Sequence, residues 1–469
     1  MKQKETILII GAGLCGSLLA LRLGQRGYSV RVMELRPDLR KVDISAGRSI
    51  NLAFSNRGIK AMKMVGLEDK VMKLCIPMHG RMLHDREGKT KLSRYSGRED
   101  EYINSISREL LTSLLMDEAE ALENVKIEFN SKCNAVDFEN NTANFINTKN
   151  GQTFDCTADL IFGTDGAGSA LRKSYFSERK FLFSFSQNFL THGYKELTIP
   201  PSENGGFRAF KNALHIWPRG EYMIIALPNL DGSFTLTLFL AYEGGTYNFN
   251  NLTTEENVLN FFNNEFPDAL ELMPNLASEF FENPTAPLGT VKCFPWQYKG
   301  KNLLLGDAAH AIVPFYGQGM NASFEDVVEF DTFLEQHDGN WEKTFKAFQQ
   351  QRKIDTDGIA DLAIDNFHEM KDHVANALFQ KKRALEMTLE TELPNDYFSK
   401  YSMVTFREDM GYHEAMTRGR AQDKAILNMI NDEGIDQNIS ISSLHEKIKK
   451  ETNSILEDDK IAKTLNHKL

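Results

Sequence analysis

Apolar and polar positions in the first 35 residues fall into two patterns. Ile7 to Ile10 is a short run rich in β-branched side chains, as in a buried strand, and Ser17 to Leu23 reads as the first turns of a helix. Between them lies GAGLCG, Gly11 to Gly16, so the order is strand, glycine-rich turn, helix. Val30 to Met33 predicts a second strand that ends at Glu34, 18 residues after Gly16. Two later segments repeat the strand-into-turn pattern. Asp159 to Gly163 runs into TDGAGSALR (Thr164 to Arg172), and Asn302 to Leu305 runs into GDAAHAIVPFYGQGMNASFED (Gly306 to Asp326). From Phe207 to Leu240, short apolar runs are broken by PRG and NLDG turns, which predicts strands.

These elements predict an α/β protein. A Rossmann-like domain with a mostly parallel sheet uses residues 1–74, 102–180 and 290–365, a β-rich substrate domain is inserted as 75–101 and 181–289, and residues 366–469 form a C-terminal helical region. The opening MKQKETILIIGAGLCGSLLALRLG has the basic end and apolar run of a leader or membrane span. Glycines at 11, 13, 16 and 24 and Arg22 interrupt it, so it reads as part of the fold. No other stretch is long and apolar enough to span a bilayer, and the charged end, SSLHEKIKKETNSILEDDKIAKTLNHKL, predicts a solvated helical tail with no membrane attachment.

Composition narrows the function. The 469 residues carry a net charge of −11, which argues against a nucleic-acid partner held through its phosphates. Five scattered cysteines with no CxxC pair suggest a reducing compartment, and a cytoplasmic location is expected. His368 and His373 stand five apart, which is not the spacing of a helical metal pair, so no metal site is expected; His310 reads as a packed structural histidine.

The glycine-rich turn has a defined chemistry. Gly11 turns tightly, Gly13 admits a pyrophosphate, Gly16 lets helix and strand pack, and the helix start offers unpaired N–H groups; Glu34 would accept from an adenosine ribose. That pattern alone does not separate FAD from NAD. In the third segment, Asp307 stands where a carboxylate can accept from a ribityl hydroxyl, and Gly317, Gly319, Met320 and Asn321 can offer backbone N–H groups to a flavin or phosphate. Asp165 and Gly166 are also readable as an ordinary Asp-Gly turn.

A GxGxxG turn, a DG segment and a GD segment in this order resemble the single-component FAD-dependent aromatic hydroxylases. The resemblance implies bound FAD, with Asp307 contacting it, Arg108 beside the flavin, and Asp165 and Gly166 between FAD and the nicotinamide cofactor. It also implies NADPH and O2 as transient co-substrates and a flavin C4a-hydroperoxide as the hydroxylating species. A second glycine-rich turn for NADPH is absent from the sequence, as in that family.

Within it, the strings RSINLAFSNRG (from Arg48), GRMLHDREGKTKLSRYSG (from Gly80), SISREL (from Ser105), VPFYGQGMN (from Val313), NFHEM (from Asn366) and YSMVTF (from Tyr401) resemble the branch that converts L-kynurenine to 3-hydroxykynurenine in tryptophan catabolism. That resemblance assigns Arg81, Tyr95, Asn366 and Tyr401 to the substrate's amino-acid carboxylate. A planar cation, two phenols and an amide suit a carboxylate screened from water. The ring then needs apolar walls, for which Phe239, Pro314, Phe315 and Met370 are candidates; Tyr316 is given no role. The plainer reading of Arg81 pairs it with Asp85 on an exposed hairpin. Two rival functions stay open: a flavin hydroxylase of another phenolic or aromatic acid, and a non-catalytic FAD-binding protein.

Overall fold

A computed structural model of the chain describes residues 5–41, 51–372, 377–432 and 439–466. Its first layer is a six-stranded sheet in the order Gln297–Tyr298, Asn302–Leu304, Leu160–Gly163, Thr6–Ile10, Ser29–Met33, Val125–Glu128. All its pairings are parallel except that of the two-residue edge strand. Ile7, Leu8, Ile9 and Ile10 are all buried, the unbroken apolar run that a parallel strand needs when both its faces are covered. The helix Leu14–Gln25 packs beside Arg108–Glu120 and Gly319–Gln336.

The second layer is a seven-stranded sheet: Ala286–Phe294, Ser184–Ile199, Phe234–Ala241, Met223–Pro228, Leu214–Pro218, Gly80–His84, Thr90–Arg94. It is antiparallel except where Gly80–His84 lies parallel to Leu214–Pro218, which brings a strand from early in the chain into a sheet made mostly from the middle. Arg81 is thereby set opposite Leu214 on one side and Ser93 on the other. A small antiparallel sheet of Asn51–Phe54, Ile103–Ser107 and Cys75–Met78 stands between the two layers in sequence. Cys75–Met78 therefore pairs with Ile103–Ser107, not with the large sheet, and Ala286–Phe294 runs from the large sheet past residue 290.

A third core joins this sheet to the C-terminal helices, with Phe239, Phe315, Phe367, Met403 and Tyr412 among its buried members. The last helix, Ile441–Asn466, departs from the solvated tail expected of its charge. It packs on Tyr412–Asp432, and Leu444, Ile448 and Ile455 are buried. Their spacing of four and then seven draws one apolar stripe along a helix whose other faces carry the charges. Among the described residues no helix is long and apolar enough to cross a membrane.

A buried charge network ties these layers together. Asp326 accepts from Gly306 N (2.8 Å), His310 Nε2 (2.6 Å) and Arg352 Nε (2.7 Å). Arg352 also pairs with Glu325 (2.7 Å), and Glu325 with Arg57. Arg57 lies 3.9 Å over the Tyr412 ring and donates to the Val404 and Met410 carbonyls. Burial alone would push both carboxyls up, but Arg352 with Arg57 or His310 outweighs it and holds Glu325 and Asp326 below their ordinary values.

Depressed carboxyls stabilise the fold above their unfolded pKa near 4, and that contribution is lost as pH falls below it. Unfolding midpoints in urea should therefore decline steadily between about pH 5 and pH 3. Asp326→Asn, which leaves Arg352 short of a counter-charge, should lower stability at pH 7 by about 3–5 kcal/mol and flatten that decline. A pH profile unchanged by the substitution would refute the assignment.

Candidate functional site

At the nucleotide end each glycine of GAGLCG meets a different environment. Gly11 has φ +99°, and a Cβ there would stand 2.7 Å from the Thr164 carbonyl oxygen. A Cβ on Gly16 would lie 2.0 Å from the Gly11 carbonyl oxygen, so only glycine lets helix and turn close. Gly13 differs: a Cβ there meets nothing within 4 Å. It opens onto free space at the start of helix Leu14–Gln25, where no side chain caps the unpaired N–H groups. Glu34 is buried and fixed, accepting from Ala12 N (2.8 Å) through one oxygen and from Arg36 Nε (2.7 Å) through the other.

Asp307 opens the single helical turn Asp307–His310 directly after the strand Asn302–Leu304. Its surface is exposed, yet enough protein surrounds it for burial to push its carboxyl up, while Arg108 and His310 draw it back down. Those are the properties of a carboxylate on the floor of a cleft. Arg108, also exposed, heads the helix Arg108–Glu120, within electrostatic reach of Asp307. Asp165 accepts from Ala170 N (2.6 Å), while its Oδ1 is buried without a partner. Gly166 faces open space. Open space over Gly13, the orphaned Asp165 oxygen and the exposed Asp307 carboxylate could hold an FAD, the helix start suiting a phosphate and Asp307 a hydroxyl donor. Gly319 and Met320 lie at the start of helix Gly319–Gln336, whose first N–H groups have no intrahelical partner, whereas the Gly317 N–H is spent on the Pro314 carbonyl (2.9 Å) and is not free for a cofactor. Asn321 is fully engaged elsewhere: its Oδ1 accepts from Ser55 N (3.0 Å) and its Nδ2 donates to Ala53 O (2.8 Å) and Gly317 O (3.1 Å). Its side chain stitches loops together, which leaves only its backbone to face a cofactor.

At the other end, the Arg81 guanidinium lies 4.5 Å from the Tyr401 ring centre and 5.3 Å from that of Tyr95. The two phenols are stacked, 5.5 Å apart and 11° from parallel. By exposed surface Arg81 is half-buried, though protein closely surrounds its guanidinium, and it makes no ion pair with a carboxylate among the described residues. Burial works against its charge, and the phenols of Tyr401, Tyr95 and Tyr316 more than offset it, with a hydrogen bond to Tyr401 contributing. Asp85, its alternative partner, instead accepts from the backbone N–H groups of Glu87 (2.9 Å) and Lys89 (2.8 Å). The Tyr95 hydroxyl is buried and has no partner.

Asn366 donates its amide to the Phe315 carbonyl. Phe315 packs against Phe239 (4.9 Å) and Phe367 (4.7 Å), and Pro314 in the same turn is exposed. Met370 falls where side chains lie outside the described residues, as do Arg48 and His373. Two residues without a role in the sequence reading join this end. Tyr316 stacks on Tyr401 (5.6 Å, 16°), and Phe367 closes against Phe315. Both adjoin predicted residues in VPFYGQG and NFHEM, but only the fold shows where their rings point.

The family model for the FAD binding domain matches residues 4–182 and 273–338. A kynurenine 3-monooxygenase of Dictyostelium discoideum is 44% identical over 476 aligned positions, covering 98% of both chains. One of Myxococcus xanthus is 43% identical over 427, covering 91% of each. Among solved structures, 2-methyl-3-hydroxypyridine-5-carboxylic acid oxygenase superposes with a TM-score of 0.63 at 21% identity over 84% of this chain and 99% of that one. PqsL of P. aeruginosa, in complex with 2-aminobenzoylacetate, gives 0.61 at 17% identity over 79% and 97%. At those identities the two structures share the fold.

The contrast between Gly13 and Gly16 is testable without turnover. Gly13→Val should keep the parent's thermal midpoint in the FAD-free protein while bound flavin, read from its absorbance after release, falls about tenfold. Gly16→Ala should instead destabilise the FAD-free fold by about 1–3 kcal/mol. The reverse pattern would mean that the open space is not where the cofactor lies.

Proposed function

The chain belongs to the kynurenine 3-monooxygenase family and is an FAD-dependent monooxygenase of kynurenine; from that premise we propose which of its residues hold the substrate and how they direct hydroxylation. The observation that carries the proposal is the Arg81 guanidinium, closely surrounded by protein and without a carboxylate partner among the described residues, beside a buried Tyr95 hydroxyl that also lacks one. L-Kynurenine brings a carboxylate. A bidentate charge-assisted pair with Arg81, with Tyr95 and Tyr401 hydroxyls donating to the remaining lone pairs, satisfies both groups at once. The Asn366 amide donates to the carbonyl of Phe315, the residue before Tyr316, which stacks on Tyr401; this supports including it in the same reading.

Anchoring the carboxylate fixes the other end of the molecule. Phe239, Phe315 and Pro314 offer apolar surface for the aminophenyl ring, with Phe367 backing Phe315. When bound, FAD supplies the redox chemistry, taking a hydride from NADPH and activating O2 for transfer to the ring carbon next to the amino group, so that 3-hydroxykynurenine and water are the products. The protein's share is orientation, exclusion of water by the helical cover, and electrostatic complementarity. No acid–base pair or nucleophile is required of the side chains. The same proposal includes NADPH as reductant and a cytoplasmic location, supported by free cysteines at 15, 75, 133, 156 and 293.

Mass-spectrometric identification of 3-hydroxykynurenine from kynurenine, NADPH and O2 tests the reading. Turnover of p-hydroxybenzoate but not kynurenine would replace it with the hydroxylation of another aromatic acid. Arg81→Ala should weaken kynurenine binding by about 2–5 kcal/mol, seen as a rise in KM, while FAD stays bound. An unchanged KM would remove Arg81 from the substrate site.

A further inference from the structure

Tyr401 lies on a helix of only six residues, Lys400–Thr405. So short a helix does not hold itself in place, because nucleation costs more than one turn of hydrogen bonds returns. Its position must come from contacts with other elements: Arg57 holds the Val404 carbonyl, and two further contacts act at its start. Glu390, on the helix Ala377–Glu392, accepts from Ser399 N (2.9 Å) and from the Ser402 hydroxyl (2.6 Å), which fixes the start of the helix. The second anchor is Lys400 itself.

Lys400 is buried, and its ammonium donates to Glu369 Oε1 (2.6 Å) and pairs with Asp423 Oδ2 (2.8 Å). Burial opposes its charge, but Asp423 and Glu369 overcome this and hold the amine protonated. Asp423, on Tyr412–Asp432, is in turn shared with Lys382 (2.7 Å), itself paired with Glu386 (3.1 Å) on Ala377–Glu392. The network therefore spans four separate helices.

Its relation to the substrate cage gives it meaning. Glu369 stands three residues after Asn366 on the helix Trp341–Asp372, and Lys400 immediately precedes Tyr401. One ammonium thus couples the two elements that carry Asn366 and Tyr401, which stand 35 positions apart in the sequence. Tyr316, stacked on Tyr401, also lies within electrostatic reach of Lys400, Glu369 and Asp423. We propose that Lys400 is a positioning residue for carboxylate recognition: bridged to Glu369 and Asp423, it sets the placement of Tyr401 and Asn366 around the Arg81 guanidinium. This rests on the functional reading above. Displacements near 1 Å in such a cage are enough to weaken binding about tenfold or more, because bidentate charge-assisted contacts depend steeply on geometry.

The test compares L-kynurenine with its decarboxylated analogue, the corresponding primary amine, on purified FAD-loaded enzyme. Lys400→Met should raise KM for kynurenine about tenfold with kcat within about twofold, and should leave the inhibition constant of the analogue unchanged. Lys400→Arg, which can keep both bridges, should restore most of the loss. Glu369→Gln, which leaves Lys400 paired with Asp423, should raise the same KM and secures the test if Lys400→Met does not fold. In combination with Tyr401→Phe, the Lys400→Met effect should be less than additive. Equal losses for kynurenine and the analogue, or unchanged KM in both the Lys400→Met and Glu369→Gln enzymes, would overturn the proposal. A parent enzyme unable to hydroxylate kynurenine would instead overturn the functional reading, and the positioning role with it.

Discussion

The carboxylate of Asp326 is the constraint from which most of the molecule's arrangement follows. It is fully buried and accepts at once from the backbone of the turn that presents Asp307, from His310 and from Arg352 on the long C-terminal helix. Through Glu325 the same network reaches Arg57 near the start of the chain, and Arg57 in turn holds the carbonyls of Val404 and Met410. Burying such charges costs several kcal/mol for each ion, so they are stable only as a complete set. Removing any one leaves another uncompensated. The cofactor turn and the helical cover are therefore fixed relative to each other by electrostatics as well as by packing.

The substrate end follows the opposite rule. Every charge of the Asp326 network is answered within the protein, whereas Arg81 is given phenols and no counter-ion among the described residues. The phenols favour that half-buried cation without neutralising it, so an incoming carboxylate still gains a charge-assisted pair there. In the proposed reading, selectivity follows from how well a ligand's carboxylate meets this unneutralised cation while its ring reaches Phe239 and Phe315.

The nucleotide-binding half was legible because its signals are local. Strand, glycine turn, helix and Glu34 occupy fewer than 35 consecutive positions, and the steric reason for Gly16 lies within the turn itself at the Gly11 carbonyl, although that for Gly11 comes from distant Thr164. Arg81, Tyr95, Asn366 and Tyr401 are different. Spacing alone does not link them, and they came to attention as a group only through family resemblance. The parallel pairing of Gly80–His84 with Leu214–Pro218 and the stacking of Tyr316 on Tyr401 leave no trace in local pattern, because both are set by tertiary contacts. Asn321 sits in a glycine-rich cofactor motif, yet its amide is used on Ser55 and Ala53, a choice made by the neighbouring strand. The last helix was misread for a related reason: its average charge hid an apolar stripe only three residues wide.

The reach of the carboxylate cage along the chain bears on how the enzyme is made. Arg81 enters its sheet only when Leu214 has left the ribosome, and Tyr401 follows nearly two hundred residues later. Throughout that interval a nascent chain holds a strand carrying a cation that has Tyr95 beside it but not yet Tyr401. The parallel sheet can assemble early, but the recognition of substrate is postponed to the final stage of translation. A chain ending before Tyr401 lacks the phenol ring that lies 4.5 Å from the Arg81 guanidinium.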